Sequence, residues 1–252
     1  MSLRSLSRKR LKMPKHVLVI GASGAIGQQI VKDLSAAGHS FSLHYHKNVA
    51  NIQSLINDLP AESVFEMVQA DLSSSEGIDH LLSKVQFTPD IIVFSQGQAS
   101  YGLFTELSQM DMTALLSVHV EALWKITQHF LPSMLQKRIG NIIVISSVWG
   151  KRGASHEVAY STVKGAQLAF IKALAKEVGA NNIRINAITP GFIDTSMNEQ
   201  LLEAERSALL DEIPLQRFGK VEDVSQLCAF LVSDASSYMT GEVLGVSGGW
   251  HI

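Results

Sequence analysis

The sequence is poor in the features that mark secreted, membrane or fibrous proteins. It holds one cysteine, Cys228, in 252 residues, so no disulfide can close within the chain. Its neighbours in "QLCAFLV" place that cysteine on the apolar side of a helix, as a small core residue. Such thiol usage fits a reducing compartment, and a cytoplasmic location is expected. No stretch approaches the roughly 18 unbroken apolar residues of a membrane span, and no early apolar run is long enough for a signal peptide. Repeats and low-complexity linkers are missing too. What remains, 46% hydrophobic and 17% charged, suits a globular chain with a substantial core.

Basic charge is scarce outside one segment. The opening "MSLRSLSRKRLKMPK" holds Arg4, Arg8, Lys9, Arg10, Lys12 and Lys15 with no acid, and residues 1–14 are expected to form a disordered basic tail. The formal net charge is −2; without those six cations, 15 basic residues face 23 acidic ones, a balance of −8. An acidic body with no clustered basic face argues against nucleic acid or a membrane as the principal partner. No metal-ligand set is expected.

Short β-rich runs alternate with helix-period stretches. The runs are "HVLVIG" (16–21), "SFSLHY" (40–45), "SVFEMV" (63–68), "DIIVFS" (90–95), "NIIVIS" (141–146), "NIRINAI" (182–188) and "EVLGVS" (242–247). Helical periodicity covers 26–37, 107–131, 158–179 and 221–232. Strands separated by helices pair in parallel through right-handed crossovers. The predicted class is α/β: one Rossmann-type doubly wound parallel sheet of about seven strands with helices on both faces, spanning 15–252 as a single domain. The rhythm breaks at the glycine-rich 21–27 and in a long excursion near 192–219.

The first strand runs directly into "GASGAIG", Gly21 to Gly27, and then into an amphipathic helix. Small residues there let backbone N–H groups approach a pyrophosphate, whose charge the helix N-terminus favours. Gly21, Ser23, Gly24, Ala25, Ile26 and Gly27 are therefore candidate dinucleotide contacts; the bland alternative is a tight βα turn. The second strand ends in "HYHKN", without the acid that usually holds the ribose hydroxyls of an unphosphorylated cofactor. Lys47 or a protonated His46 suits a 2′-phosphate, so NADPH is favoured over NADH, unless both are merely solvated loop residues. After the third strand, "ADLS" offers Asp71 and Leu72 at the adenine end, with Asp71 equally readable as a helix N-cap.

In "ISSVWGKRGASHEVAYSTVKGAQ" (145–167), Tyr160 and Lys164 lie at i and i+4 of one helix, and Ser147 ends the fifth strand. A tyrosine, with an ordinary pKa near 10, becomes an acid–base group when a nearby cation stabilises its phenolate, and Lys164 can supply that cation. Ser147 can hydrogen-bond the same carbonyl oxygen that the tyrosine protonates.

Together with "NAITPGFIDTSM" and "PLQRFGKVEDVSQLCAFLVSDASSYMTGEVLGVSGG", these motifs resemble the short-chain dehydrogenase/reductase family in order and spacing across nearly all of 15–252. The last stretch is similar to 3-oxoacyl carrier-protein reductases. The resemblance implies a homotetrameric NAD(P)-dependent reductase acting on a small-molecule or protein-carried ketone. It implies Tyr160 as acid, Lys164 holding the nicotinamide ribose and lowering the tyrosine pKa, and Ser147 polarising the carbonyl. Pro190, Gly191, Ile193 and Thr195 would line the nicotinamide pocket.

Four positions depart from the family pattern. Ala25 stands for a glycine, and "FSQG", ending at Gly97, replaces Asn-Asn-Ala-Gly. His119 takes the place of the relay asparagine, as a modified relay or a buried core histidine. Of two carrier-binding arginines near the site mouth, one matches Arg138, while the other falls on Asn181. The segment "SSVWGKRGASHEVAYS" with "YGLF" (101–104) also resembles bacterial elongation factor P 5-aminopentanone reductases, which reduce a ketone on a modified lysine. A non-catalytic dinucleotide-binding sensor is the alternative from another class.

Overall fold

The computed structural model describes residues 14–195 and 203–250. The tail expected over 1–14 lies outside the described residues save for Pro14, as do residues 196–202 of the excursion. The strands are β1 (His16–Ile20), β2 (Ser40–Tyr45), β3 (Val64–Gln69), β4 (Ile91–Phe94), β5 (Gly140–Ile145), β6 (Ile183–Pro190) and β7 (Val243–Val246). All pair in parallel, in the order β3-β2-β1-β4-β5-β6-β7. The order reverses between β1 and β4, and ligands of doubly wound sheets gather outside the carboxyl ends of the strands at such a switch.

Successive strand residues point to opposite faces, and both faces of this sheet are covered, which is why the strands read as continuous apolar runs. Leu18, Ile20, Ile92, Phe94, Ile142 and Val144 pack on one side, under α3 (Ser75–Lys84), α5 (Ala122–Lys137) and α7 (Val158–Val178). Their neighbours Val17, Val19, Ile91, Val93, Ile143 and Ile145 pack on the other, under α1 (Ala25–Ala36), α2 (Val49–Asn57) and α9 (Val221–Val232). Cys228 is fully buried in the second layer. Each such Leu, Ile or Val contributes about 1.5–3 kcal/mol by leaving water.

The helix expected as one piece over 107–131 is divided. It comprises α4 (Gln109–Leu116), a π turn (Ser117–Glu121) and α5, which continues to Lys137 through Pro132. Periodicity does not reveal a π turn, because one extra residue shifts the apolar phase only locally. Short α6 (Trp149–Arg152) lies between Ser147 and Tyr160, and α8 (Glu203–Glu212) forms within the excursion. Among the described residues no helix is long and apolar enough to cross a membrane.

Candidate active site

At the end of β1 the backbone turns at Gly21 with φ of 83°. A Cβ there would sit 2.6 Å from the Gln96 backbone, and one on Gly27 would strike the Gly21 carbonyl oxygen, so the turn and α1 pack too closely for side chains. Gly24, the N-cap of α1, and Ala25 are exposed. The first turn of α1 has neither a capping side chain nor an acid, which leaves its N–H groups and positive dipole end to an anion. Ser23 is buried, and its carbonyl accepts hydrogen bonds from Gln28 Nε2 (3.0 Å) and Asn51 Nδ2 (3.3 Å). Ile26 packs against the second core layer. This cradle fits the pyrophosphate of a dinucleotide.

His44, on β2, braces the cradle from below. Its Nδ1 accepts from the Gly21 N–H at 3.1 Å, and its Nε2 reaches the Ala70 carbonyl at 3.1 Å, tying the turn to the end of β3. Burial lowers its pKa to about 4 against the help of the Ala70 bond, so the ring is neutral and structural. In β2 the polar Ser40, Ser42 and His44 alternate with Phe41 and Leu43, and that alternation was the sequence signal for a polar residue turned inward here.

His46 and Asp71 meet at the next strand ends, with Nε2 to Oδ2 at 3.4 Å. The Ser73 N–H, 2.9 Å from Oδ1, holds the Asp71 carboxyl below its ordinary pKa, with His46 and Lys47 adding to the effect. Asp71 does not cap the following helix: the N-cap is Ser74, whose hydroxyl accepts from the Gly77 N–H at 3.2 Å. Asp71 is exposed, whereas the Leu72 side chain is in the core and its carbonyl accepts from Ser117 Oγ at 2.8 Å. Lys47 is exposed.

At the carboxyl end of β5, Ser147 lies close enough to Tyr160 for its hydroxyl to favour the phenolate, and the Trp149 N–H donates to Ser147 Oγ at 3.2 Å. Lys164 lies one turn beyond Tyr160 on α7, with Nζ 5.5 Å from the tyrosine ring centre and donating to the Ile145 carbonyl at 3.1 Å. The three residues foreseen as a reaction centre thus lie together beside the carboxyl end of β5. Their electrostatics differ from the expectation that Lys164 lowers the tyrosine pKa. Burial raises the Tyr160 phenol to about 12, Glu157 adds repulsion, and the nearby Ser147 hydroxyl opposes them. Burial likewise lowers the Lys164 amine to about 7, so much of its charge is lost near neutrality. Glu157 itself is pushed up by burial.

His119 lies in the π turn with no solvent exposure. Its ring stands edge-on to Tyr160, with centres 5.7 Å apart at 86°. Nε2 is 3.0 Å from the Gln98 carbonyl, and Nδ1 is buried without a partner. Burial, then the Lys164 charge, lower its pKa to about 3. A Cβ on exposed Gly97 would come 3.4 Å from this ring, so the histidine underlies the loop after β4.

The Pro190 carbonyl accepts from the Val148 N–H (3.1 Å), and the Gly191 N–H donates to Val246 (2.9 Å), which fixes the chain beside Ser147. Ile193 is buried in the second core layer, and Thr195 is half-buried. Trp149 packs under the loop, T-shaped against Trp250 at 4.9 Å. Tyr101 stacks on His156 at 5.3 Å, and the Gly102 N–H donates to the His156 carbonyl at 2.8 Å, joining two loops near the site. Arg138 is not at the site mouth of its own chain. It precedes β5 and donates to the Ala180 carbonyl at 2.8 Å, just before β6, so it lies at the amino ends of strands whose carboxyl ends carry Ser147 and Pro190. Asn181 lies in the same turn before β6.

Comparison with known proteins places these features in context. A family model described as enoyl-(acyl carrier protein) reductase matches residues 21–251. A Bacillus subtilis protein described as uncharacterized oxidoreductase YmfI is 39% identical over 95% of this chain and 100% of its own length. The Pseudomonas aeruginosa 3-oxoacyl-[acyl-carrier-protein] reductase FabG is 33% identical over 94% of this chain and 98% of its own. The Brucella melitensis 3-oxoacyl-[acyl-carrier protein] reductase structure aligns with a TM-score of 0.85 at 24% identity, covering 100% of this chain and 98% of that one. The structure of YwfH, an NADPH dependent reductase involved in bacilysin biosynthesis, aligns at 0.86 and 24% identity, covering 95% and 98%. At such identity these two structures speak for the fold alone.

Proposed function

Because the chain belongs to the short-chain dehydrogenase/reductase family and is an oxidoreductase, we propose that it uses NADPH to reduce a ketone, of the 3-oxoacyl type or a related carbonyl, to a secondary alcohol. The observation that carries this reading is Lys164 Nζ held 5.5 Å from the Tyr160 ring on the same face of α7, with Ser147 at the adjoining strand end and beside a glycine cradle that a Cβ would fill. Gly21 to Gly27 would hold the pyrophosphate, Lys47 and His46 the 2′-phosphate, and Asp71 the adenine. Lys164 would hold the nicotinamide ribose, and Gly97, Pro190, Gly191, Ile193 and Thr195 would flank the ring. When bound, NADPH supplies the hydride for the carbonyl carbon.

The residues of this chain supply the proton and the geometry. Ser147 donates a hydrogen bond to the carbonyl oxygen and aligns it with the tyrosine. A phenol with its pKa near 12 keeps its proton at neutral pH and releases it to the more basic alkoxide oxygen as that charge develops. Lys164, fixed by the Ile145 carbonyl, orients the ribose and shares its ammonium charge with the phenolate left behind. The FabG relative supports the 3-oxoacyl part of the reading. Exposed Met110, Leu116 and Trp124 on α4 and α5 support a homotetramer, since such side chains favour burial against further copies.

A second reading has its own support. Tyr101, Leu103 and Phe104 are each more than half exposed beside the His156 loop, an apolar surface suited to a ketone presented on a protein, as in the elongation factor P reductases. The test follows NADPH absorbance against an acetoacetyl thioester, simple ketones and the 5-aminopentanone-modified elongation factor, with wild type and Tyr160→Phe. Wild type should turn over at least one ketone. The variant should bind NADPH normally and lose about 10²–10⁴-fold in rate. Near-normal turnover by Tyr160→Phe defeats the mechanism, and NADPH binding without turnover of any ketone favours the sensor.

A further inference from the structure

The π turn at Ser117–Glu121 is held by side chains from two other segments and by one of its own, and each contact leads toward the candidate site. Inside a helix a π turn displaces carbonyls from the regular i→i−4 ladder, so they need other donors. Gln96 Nε2, just past β4, donates to the Val118 carbonyl at 3.1 Å. Gln167 Nε2, on α7, donates to the His119 carbonyl at 2.9 Å. Ser117 Oγ donates outward to the Leu72 carbonyl. The turn therefore ties together the loop after β3, the loop after β4 and the helix that carries Tyr160 and Lys164.

Gln96 and Gln167 each bury an Oε1 without a partner, and Gln167 is the more deeply buried of the two. It is 2% exposed, on the core-facing stripe of α7 with Val163, Leu168 and Ile171, and its Oε1 is buried with no partner. An apolar residue of similar length would fill that stripe without stranding an acceptor away from water. Among the described residues, the bond that offsets the amide's burial is the one to the His119 main chain. What that bond places is the His119 ring, edge-on to Tyr160 on one side and against Gln98 and Gly97 on the other.

We propose that Gln167 is a positioning residue of the reaction centre: by holding the His119 carbonyl within the π turn, its amide sets the His119 ring against both Tyr160 and the loop after β4. Gln167 touches no reacting atom and acts through His119. The catalytic part of this inference rests on the reductase reading, so its test has one arm that does not require turnover.

The test compares the full-length wild type with Gln167→Met, which keeps the length and removes the donor, and Gln167→Glu. Peptide-resolved hydrogen–deuterium exchange follows the segment containing Gln98, whose N–H lies 3.4 Å from His119 Nε2. In Gln167→Met this segment should exchange about tenfold faster while α1 is unchanged. Its kcat should fall about 10–100-fold with NADPH affinity retained, as expected for lost alignment. Gln167→Glu gives a second readout if the first variant folds poorly. A protonated carboxyl there donates to the His119 carbonyl and an ionised one repels it, so kcat and Gln98 protection should both decline as pH rises. Unchanged exchange at Gln98, acceleration spread evenly over the sheet, or a pH profile like that of wild type would overturn the proposal. If wild type reduces no ketone, the reductase reading fails, and the exchange arm still decides the role of Gln167.

Discussion

His44 offers the sharpest test of how the glycine turn is held. Its two ring nitrogens bridge Gly21 and Ala70, and the bridge needs the neutral ring, because Nδ1 must accept from an N–H. The folded-state pKa is lowered from 6.5 to about 4, so between those values the unfolded chain binds the proton that the folded chain refuses. Stability from this group is therefore complete above the unfolded value and is lost progressively as pH falls toward the folded one. Lowering pH from about 7 to about 5 should remove about 2 kcal/mol through His44 alone. In His44→Gln the amide still offers an acceptor and a donor but does not titrate. That variant should lose about 2 kcal/mol less than wild type over the same pH interval, seen as a smaller shift, by about 1 M, in the urea midpoint. His119, lowered to about 3 by burial and by Lys164, contributes the same sign of dependence in both proteins and cancels in the comparison. Identical pH sensitivity of the two proteins would refute the assignment of His44 as a buried neutral brace.

Three further outcomes follow from other parts of the molecule. Gly21→Ala should cost about 1–2 kcal/mol for the left-handed backbone alone, with more from the approach to Gln96, and NADPH fluorescence titration should show weakened binding. Lys47→Glu should raise the dissociation constant for NADPH about tenfold and leave NADH within about twofold; equal effects on both cofactors would remove Lys47 from the phosphate site. Charging the exposed α4 and α5 side chains, as Met110→Glu with Trp124→Glu, should lower the mass seen by light scattering, and an unchanged four-chain mass would clear this surface of any role in assembly.

Much of the architecture was legible because parallel strands covered on both faces have to be apolar without interruption. All seven runs became strands, shifted by a residue or two at their ends, where pairing rather than composition sets the limit. Shorter helices such as α2 and α3 carried too few turns for periodicity to fix their limits. At the site, Ser147, Tyr160 and Lys164 could be named from spacing because i,i+4 geometry is local and the serine lies at a strand end. For the helix after β3, Asp71 was left open as a cap, since Asp71 and Ser74 are both good capping types and only the backbone path chooses Ser74. Arg138 was assigned by likeness to a mouth that lies at the other end of its own strand, a distinction that no local pattern carries.

By itself the sequence determined the alternation of strand and helix, the glycine turn and the polar residues able to carry acid–base chemistry, because each follows from short-range sterics and periodicity. Burial decided the rest. It made His44 a neutral brace for the glycine turn, raised the Tyr160 phenol while lowering the Lys164 amine, and gave Gln167 a bond to make to a carbonyl 48 residues away. Charge and hydrogen bonding acquire their energies from the surroundings that the folded chain supplies, and those surroundings are assembled from segments distant in sequence.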